Sequence, residues 1–134
     1  MKYIQEAIIM TKDKINEKYK DAKGKKFDGD KLEWGLVPFE ALHGVVERFG
    51  GGKKKYGAWN WIEVDDAKER YFNGLMRHLV AYRSGEELDN DPQFENTKRA
   101  KFHLTTALWN LLVLEYLDMK EKKQLNENPK IDQK

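Results

Sequence analysis

Glu40, His43 and Glu47 are the first residues of this sequence whose types and spacing suggest chemistry. Separations of three and four residues place side chains on one side of an α-helix. Two carboxylates on such a face can hold a hard divalent cation, because Mg²⁺ prefers oxygen ligands and is usually held by one or two protein carboxylates. The same spacing is also typical of the solvated, charged face of a surface helix. The spacing alone leaves both interpretations open.

His78 and His103 lie where two predicted helices change from polar to apolar positions. A histidine at such a position is either a ligand or catalyst, or a core histidine that is hydrogen-bonded to a neighbour. The acidic cluster Asp89-Asn90-Asp91 comes just before Pro92, and its simplest role is to cap a turn. It does not match a calcium loop, because the required glycine and the distant glutamate are misplaced.

Residues 50–52 are three glycines and residues 53–55 are three lysines, and Tyr56 and Gly57 follow them. Free backbone amides and lysine ammonium groups are suited to neutralising a triphosphate. The segment is not a P-loop, because the Gly-Lys-Ser/Thr ending and a preceding strand are absent. A flexible surface loop is the alternative. Trp59-Asn60-Trp61 follows, and it offers either a stacking face for a base or ordinary aromatic packing.

The elements that must position these residues are predicted to be helices, with no strand and no internal repeat. Residues 3–20 form an amphipathic pattern that either docks on its own core or pairs with a second subunit. Its stripe comprises Ile4, Ile8, Thr11, Ile15 and Tyr19. A second helix should begin near Pro38 and end at about Phe49, because Gly50-Gly51-Gly52 carries a large entropy cost in a helix. Residues 53–63 are then predicted to be a loop.

Two further helices complete the predicted fold. One starts at Asp65 or Asp66, as its N-cap, and runs to Arg83. The last covers about Phe94 to Lys122, and its predicted core stripe is Leu104, Ala107, Leu108, Leu111 and Leu114. The predicted class is all-α, with an N-terminal helix and linker over 1–25, a helical domain over 26–122 and a polar, disordered tail over 123–134.

Composition limits the function further. The 134 residues include 25 basic and 23 acidic side chains and no cysteine. The near-balance of charge argues against a protein held to nucleic acid mainly by charge. The lack of cysteine excludes disulfides, cysteine-type zinc sites and thiol nucleophiles. No signal-peptide core and no apolar run of about 18 residues is present, so we expect a cytoplasmic protein without a membrane span.

Several blocks, taken in chain order, resemble the phage-type dATP/dGTP diphosphohydrolase domain of the MazG-like, all-α nucleotide pyrophosphatase group. These blocks are residues 26–42, 54–61, 70–79, 85–89 and the helix that begins near His103. The resemblance implies a MazG-like bundle of about four helices that binds a purine deoxynucleoside triphosphate with Mg²⁺. It also implies cleavage of the α–β phosphate bond to give a monophosphate and pyrophosphate.

The resemblance further implies roles for individual residues. The metal carboxylates would be Glu40 and Glu47, and the catalytic positions would be His78, Asp89 and His103. The substrate-binding residues would be Lys54, Lys55 and Arg77 at the phosphates, with Tyr56, Asn60 and Trp61 at the base or sugar. A phage-encoded homo-oligomer, a dimer or tetramer acting in the host cytosol, is the implied setting.

Two positions depart from the pattern and favour an alternative. Relatives carry acidic residues where this chain has His43-Gly44, and a second histidine where it has Thr106. Loss of a ligand or proton carrier can leave nucleotide binding intact while it removes catalysis. The alternative is therefore a catalytically weak or inactive nucleotide-binding protein that senses or sequesters its ligand.

Overall fold

Residues 23–127 form three α-helices, which confirms the predicted all-α class. The computed structural model describes residues 14, 17, 18, 20, 21 and 23–127. The helices are α1 (His43–Tyr56), α2 (Ala67–Arg83) and α3 (His103–Glu127). Shorter 3-10 turns cover Trp34–Leu36, Phe39–Leu42, Asn60–Glu63 and Pro92–Phe94. Among these residues there is no strand, only an isolated bridge between Leu88 and Phe102.

The chain divides into two compact units, Met1–Val37 and Pro38–Lys134. In the first unit, the Lys31 amide donates to the Asp28 carbonyl at 3.0 Å and closes a turn. The predicted stripe of the N-terminal helix, and residues 128–134 of the predicted tail, lie outside the described residues. None of the helices in the described part of the chain has the length and apolar character that a membrane span requires.

Helix α1 differs from the prediction at both ends. It begins at His43 and not near Pro38, and it continues through all three glycines to Tyr56 instead of ending at about Phe49. A Cβ at Gly51 would lie 2.8 Å from Cε1 of Phe94 and 3.0 Å from Nε2 of Gln93. The helix therefore passes so close to the Pro92–Phe94 turn that any side chain at this position would force Phe94 and Gln93 to shift. This packing offsets the entropy cost that three glycines bring to a helix, so the glycines do not end α1.

The end of α1 lies at Gly57, whose φ of 96° is the conformation that favours glycine. Its amide donates to the Lys53 carbonyl at 3.0 Å. Residues 53–56 are thus the last turn of α1, and their prediction as a loop is wrong. Because this segment is helical, its lysines are held at fixed positions along one rigid element.

Helices α2 and α3 are joined by residues 84–102 and run antiparallel. Lys68 near the start of α2 lies 2.8 Å from Glu121 of α3, whereas His78 near the end of α2 contacts His103 at the start of α3. Helix α2 starts next to Asp66, as predicted, and ends at Arg83. The α2–α3 pair therefore brings the two histidines together from positions 25 residues apart in the sequence.

Helix α3 also corrects its predicted limits, because it begins at His103 and not at Phe94, and it continues past Lys122 to Glu127. Its predicted core stripe is wrong at three of five positions, because Leu104, Leu108 and Leu111 are 38–52% exposed. Ala107 is buried as predicted, and Leu114 is half-buried. The buried face of α3 comprises His103, Thr105, Thr106, Ala107, Asn110 and Val113. Polar groups are tolerated there because they are hydrogen-bonded: Asn110 Nδ2 donates to the Thr106 carbonyl at 2.8 Å.

Candidate functional site

His78, Asp89 and His103 form one cluster, which we call the His–Asp centre. One ligand-type atom from each residue lies within 4.8 Å of the other two. The Nδ1 atoms of His78 and His103 are 2.8 Å apart. The three residues predicted from the resemblance as catalytic are therefore brought together by the fold, although two helices and a loop supply them.

The backbone around the His–Asp centre is tied by hydrogen bonds between segments. The Asp89 amide donates to the Lys101 carbonyl at 2.7 Å, and the His103 amide donates to the Glu87 carbonyl at 2.8 Å. These bonds hold the loop after α2 against the first residue of α3. These two bonds therefore fix the backbones of Asp89 and His103 relative to each other.

The two histidines differ in solvent exposure. His103 is 7% exposed, while His78 is half-buried. Burial lowers the pKa of His78, the Asp89 carboxylate opposes that shift, and His103, Arg48 and Arg77 add to it. His78 is therefore neutral at neutral pH and can accept a proton or a cation through a ring nitrogen. Within the described part of the chain, the buried Nε2 of His103 has no hydrogen-bond partner.

Arg48 is a site residue that the sequence pattern did not reveal. Its guanidinium carbon lies 4.3 Å from the centre of the Phe94 ring and 5.5 Å from that of Trp109. Its Nη1 donates to the Thr106 hydroxyl at 3.1 Å. Burial lowers the pKa of Arg48, and the charges of Asp89 and Asp91 oppose that shift. Arg48 follows the buried Val45 by three residues and therefore lies on the same helix face, and this spacing was the available signal.

Glu47 anchors the segment that leads into α3. Its Oε2 accepts the Lys98 amide at 2.9 Å, and its Oε1 accepts the amides of Arg99 and Ala100 at 2.9 and 3.2 Å. Burial by itself raises the pKa of Glu47, but these three bonds and nearby His43 lower it, and the net shift is downward. This anchoring role was missed, because it depends on a contact across more than 50 residues.

Glu40 does not share a helix with His43 and Glu47, contrary to prediction. It lies in the exposed 3-10 turn Phe39–Leu42, whereas His43 is the first residue of α1. The pair that remains on one helix face is His43 and Glu47, with Nε2 and Oε1 3.8 Å apart.

A cavity of about 610 Å³ opens beside α1, and we call it the lysine cavity. It is lined by Glu47, Gly50, Gly51, Lys54, Lys55, Gln93, Phe94 and Thr97. Two predicted phosphate-binding residues, Lys54 and Lys55, are therefore at a concave surface. Arg48 stacks on Phe94, which lines this cavity. Burial lowers the pKa of Arg48, and the charge of Asp89 in the His–Asp centre opposes that shift.

The remaining predicted substrate residues lie elsewhere. Trp61 packs in an aromatic cluster, with its ring centre 5.7 Å from Phe49, 5.5 Å from Trp59 and 5.4 Å from Tyr116. Tyr56, Asn60 and Arg77 are exposed. None of these four is among the described residues that line the lysine cavity.

A family model described as dATP/dGTP diphosphohydrolase, N-terminal, matches residues 21–127. The chain belongs to this dATP/dGTP diphosphohydrolase family. The resemblance noted in the sequence is thereby confirmed, and the matched range contains the whole His–Asp centre and every residue of the lysine cavity. No curated protein and no solved structure matches the chain significantly.

The geometry also bears on the magnesium that the diphosphohydrolase resemblance implies. Glu47 lines the lysine cavity, and each carboxylate oxygen can accept two bonds. Oε1 accepts two amides and Oε2 accepts one, so one acceptor position of Oε2 is left. One remaining acceptor position on a cavity-lining carboxylate is compatible with Mg²⁺, which is held by few protein ligands together with substrate phosphates and water.

Proposed function

We propose that this chain is a Mg²⁺-dependent hydrolase that converts dATP or dGTP to the monophosphate and pyrophosphate. The observation that carries the proposal is that one chain of the dATP/dGTP diphosphohydrolase family holds both a cavity lined by two lysines and a partly buried His–Asp centre, with Arg48 stacked on the cavity-lining Phe94 and influenced by the charge of Asp89. Its setting would be the purine deoxynucleotide pool of a phage-infected cell, as the phage-type resemblance implies.

The lysine cavity is suited to the triphosphate. Its volume of about 610 Å³ falls within the range of roughly 300–1,000 Å³ that is usual for small-molecule sites. The ammonium groups of Lys54 and Lys55 would neutralise phosphate charge. The glycine amides contribute less than a free loop would, because α1 uses them for its own hydrogen bonds.

The magnesium ion would be held by Glu47, and when bound it would offset charge on the phosphates and polarise the phosphorus that is attacked. Glu40 stays a proposed second carboxylate, although it lies in the 3-10 turn before α1 and does not line the lysine cavity in the described structure. The chain's own groups would do the rest. The His–Asp centre would activate the attacking water, since a neutral imidazole next to a carboxylate can accept its proton. Arg48 would stabilise charge that develops on the α-phosphate, because its guanidinium has donors beyond the one used by Thr106. Arg77, Tyr56, Asn60 and Trp61 stay proposed contacts to phosphate, sugar or base.

The test is pyrophosphate release from the four deoxynucleoside triphosphates and the ribonucleotides, with and without Mg²⁺. We expect Mg²⁺-dependent release from dATP and dGTP. No release from any nucleotide by folded protein would contradict the enzyme proposal.

A nucleotide-binding protein without catalysis is the second candidate. Thr106, which stands where the family resemblance implies a histidine, is fully buried and accepts from Arg48, and three of the four acceptor positions of Glu47 are already used. This candidate predicts that dATP or dGTP raises the melting temperature and is recovered unchanged, because a ligand bound to the native state alone stabilises it.

Assembly into a dimer or tetramer is also proposed. Helix α2 exposes Phe72, Met76 and Val80 at intervals of four residues, and α3 exposes Leu104, Leu108 and Leu111. Exposed apolar side chains aligned on two helices are typical of an oligomer contact. Light scattering coupled to size-exclusion chromatography would give the mass of the particle, and a monomer at all concentrations would contradict the proposal.

A further inference from the structure

The His–Asp centre presents two imidazoles and one carboxylate to a common point. Two nitrogens that each lie about 2.1 Å from one metal ion are about 3 Å apart at a right angle and about 3.4 Å apart at a tetrahedral angle. The Nδ1 atoms of His78 and His103 are 2.8 Å apart, which is close to the right-angle value. Asp89 offers a carboxylate oxygen within 4.8 Å of both histidines. The two nitrogens are therefore spaced as neighbouring ligands of one ion, and a small shift of the Asp89 side chain would bring its carboxylate to the same ion.

From this arrangement we infer that the His–Asp centre binds a divalent transition-metal ion of the Mn²⁺, Co²⁺ or Zn²⁺ type, distinct from the magnesium proposed at Glu47. The ligand set decides the class of ion. Imidazole nitrogen suits these metals, whereas Mg²⁺ takes oxygen ligands and keeps several waters. Two histidines and one carboxylate leave coordination positions for water or substrate, as catalytic sites require.

The surroundings of the second ring nitrogen of His103 give a further observation in support of the inference. Its Nδ1 faces His78, and its Nε2 is buried without a hydrogen-bond partner among the described residues. The carboxylate of Glu86 lies 3.6 Å from that Nε2. Histidines that bind a metal through one nitrogen usually donate the other N–H to a carboxylate, which fixes the tautomer. Metal at Nδ1 would place the proton on Nε2, facing Glu86.

The surroundings are compatible with a cation. Arg48 and Arg77 add positive charge near the centre, and the carboxylates of Asp89, Asp91 and Glu86 offset it. The ligands are also held in place: His78 lies within α2, and the backbones of Asp89 and His103 are each bonded to the opposing segment. Rigid support of this kind reduces the ordering cost of binding an ion.

The inference deepens the proposed function, since a bound metal would activate water in the same centre, but metal binding does not require that any nucleotide be hydrolysed. The probe is Co²⁺, titrated into metal-free protein, because its absorption bands report nitrogen ligands and coordination number. We expect one Co²⁺ per chain, competed by Zn²⁺ and not by millimolar Mg²⁺.

His78→Gln and Asp89→Asn test the ligands, and circular dichroism confirms that each variant is folded. Each should weaken Co²⁺ binding by tenfold or more, and Glu86→Gln by about tenfold as an outer partner of His103. The matched control is His43→Gln, which removes an exposed histidine outside the centre and should leave the titration unchanged. Equal Co²⁺ binding by wild type and by folded His78→Gln would overturn the inference, as would absent binding by wild type.

The two proposals fail separately. If wild type binds Co²⁺ through the centre but releases no pyrophosphate from any nucleotide, the enzyme proposal is wrong and the metal site stands. If it releases pyrophosphate with Mg²⁺ alone and binds no Co²⁺, the metal site is wrong and the enzyme proposal stands.

Discussion

The His–Asp centre and the lysine cavity are built in opposite ways. The centre depends on three segments that meet only when α2 and α3 pack, and one of its histidines is buried. The cavity takes its two lysines from the last turns of a single helix, where they are exposed. Buried groups in a fixed frame suit chemistry, and exposed cations suit the capture of phosphate. The difference predicts that changes in the centre alter turnover and that changes in the cavity alter affinity.

The largest effect is expected at the centre. His78→Gln should lower kcat for pyrophosphate release by about a hundredfold or more, as loss of a general base or of a water-activating ligand does, and should leave KM nearly unchanged. Steady-state kinetics with dATP and dGTP measure both constants. His43→Gln is the control, and an equal loss in both variants would remove the special role of the centre.

At the cavity, Lys54→Ala should raise KM by about tenfold, because a charge-assisted contact to phosphate contributes about 1.5 kcal/mol or more. Lys53→Ala is the matched control, since Lys53 is an exposed neighbour on the same turn and does not line the cavity in the described structure. If Lys53→Ala and Lys54→Ala raise KM equally, the cavity is not the phosphate site.

The wall of the cavity can be tested through stability. Gly51→Ala should destabilise the protein by about 1–3 kcal/mol, because the new Cβ overlaps Phe94 and Gln93. Gly52→Ala should stabilise it by about 0.5–1 kcal/mol, since among the described residues no atom lies within 4 Å of that Cβ and alanine favours a helix. Urea denaturation gives both values, and equal effects would mean that α1 does not approach the Pro92–Phe94 turn.

These glycines show where the sequence was informative and where it was not. The limits of α2 were predictable, because its apolar spacing and the turn residues around it agree. The course of α1 was not, because the contact of Gly51 with Phe94 spans 43 residues and outweighs local propensity. The leucine stripe of α3 misled for a different reason: Thr106 and Asn110 can be buried because their side chains donate to backbone carbonyls four residues earlier.

The candidate site was predicted unevenly. His78, Asp89 and His103 were found through the resemblance, and the structure brings them together. Arg48 was missed, since a charged residue on an apolar face gives no sign of the aromatic rings that cover it. Glu47 was singled out for its carboxylate, but its bonds to three backbone amides could not be foreseen from helical spacing.

The smallest expected effect is the pH dependence of stability. The folded pKa of His78 lies below its ordinary value of 6.5, so the unfolded chain takes up this proton first as the pH falls. The free energy of unfolding of metal-free protein should therefore decrease below about pH 6.5, until the folded pKa is reached. Asp89, His103, Arg48 and Arg77 face this histidine. His78→Gln should flatten that part of the profile, and an unchanged profile would contradict the shift.

The most direct test of the account is hydrolysis of dATP or dGTP in ¹⁸O-labelled water with Mg²⁺, followed by mass spectrometry of both products. Water activated by the His–Asp centre while the triphosphate lies in the lysine cavity should attack the α-phosphorus. The account predicts ¹⁸O in the deoxynucleoside monophosphate and unlabelled pyrophosphate. Label in pyrophosphate, or release of inorganic phosphate in its place, would contradict it.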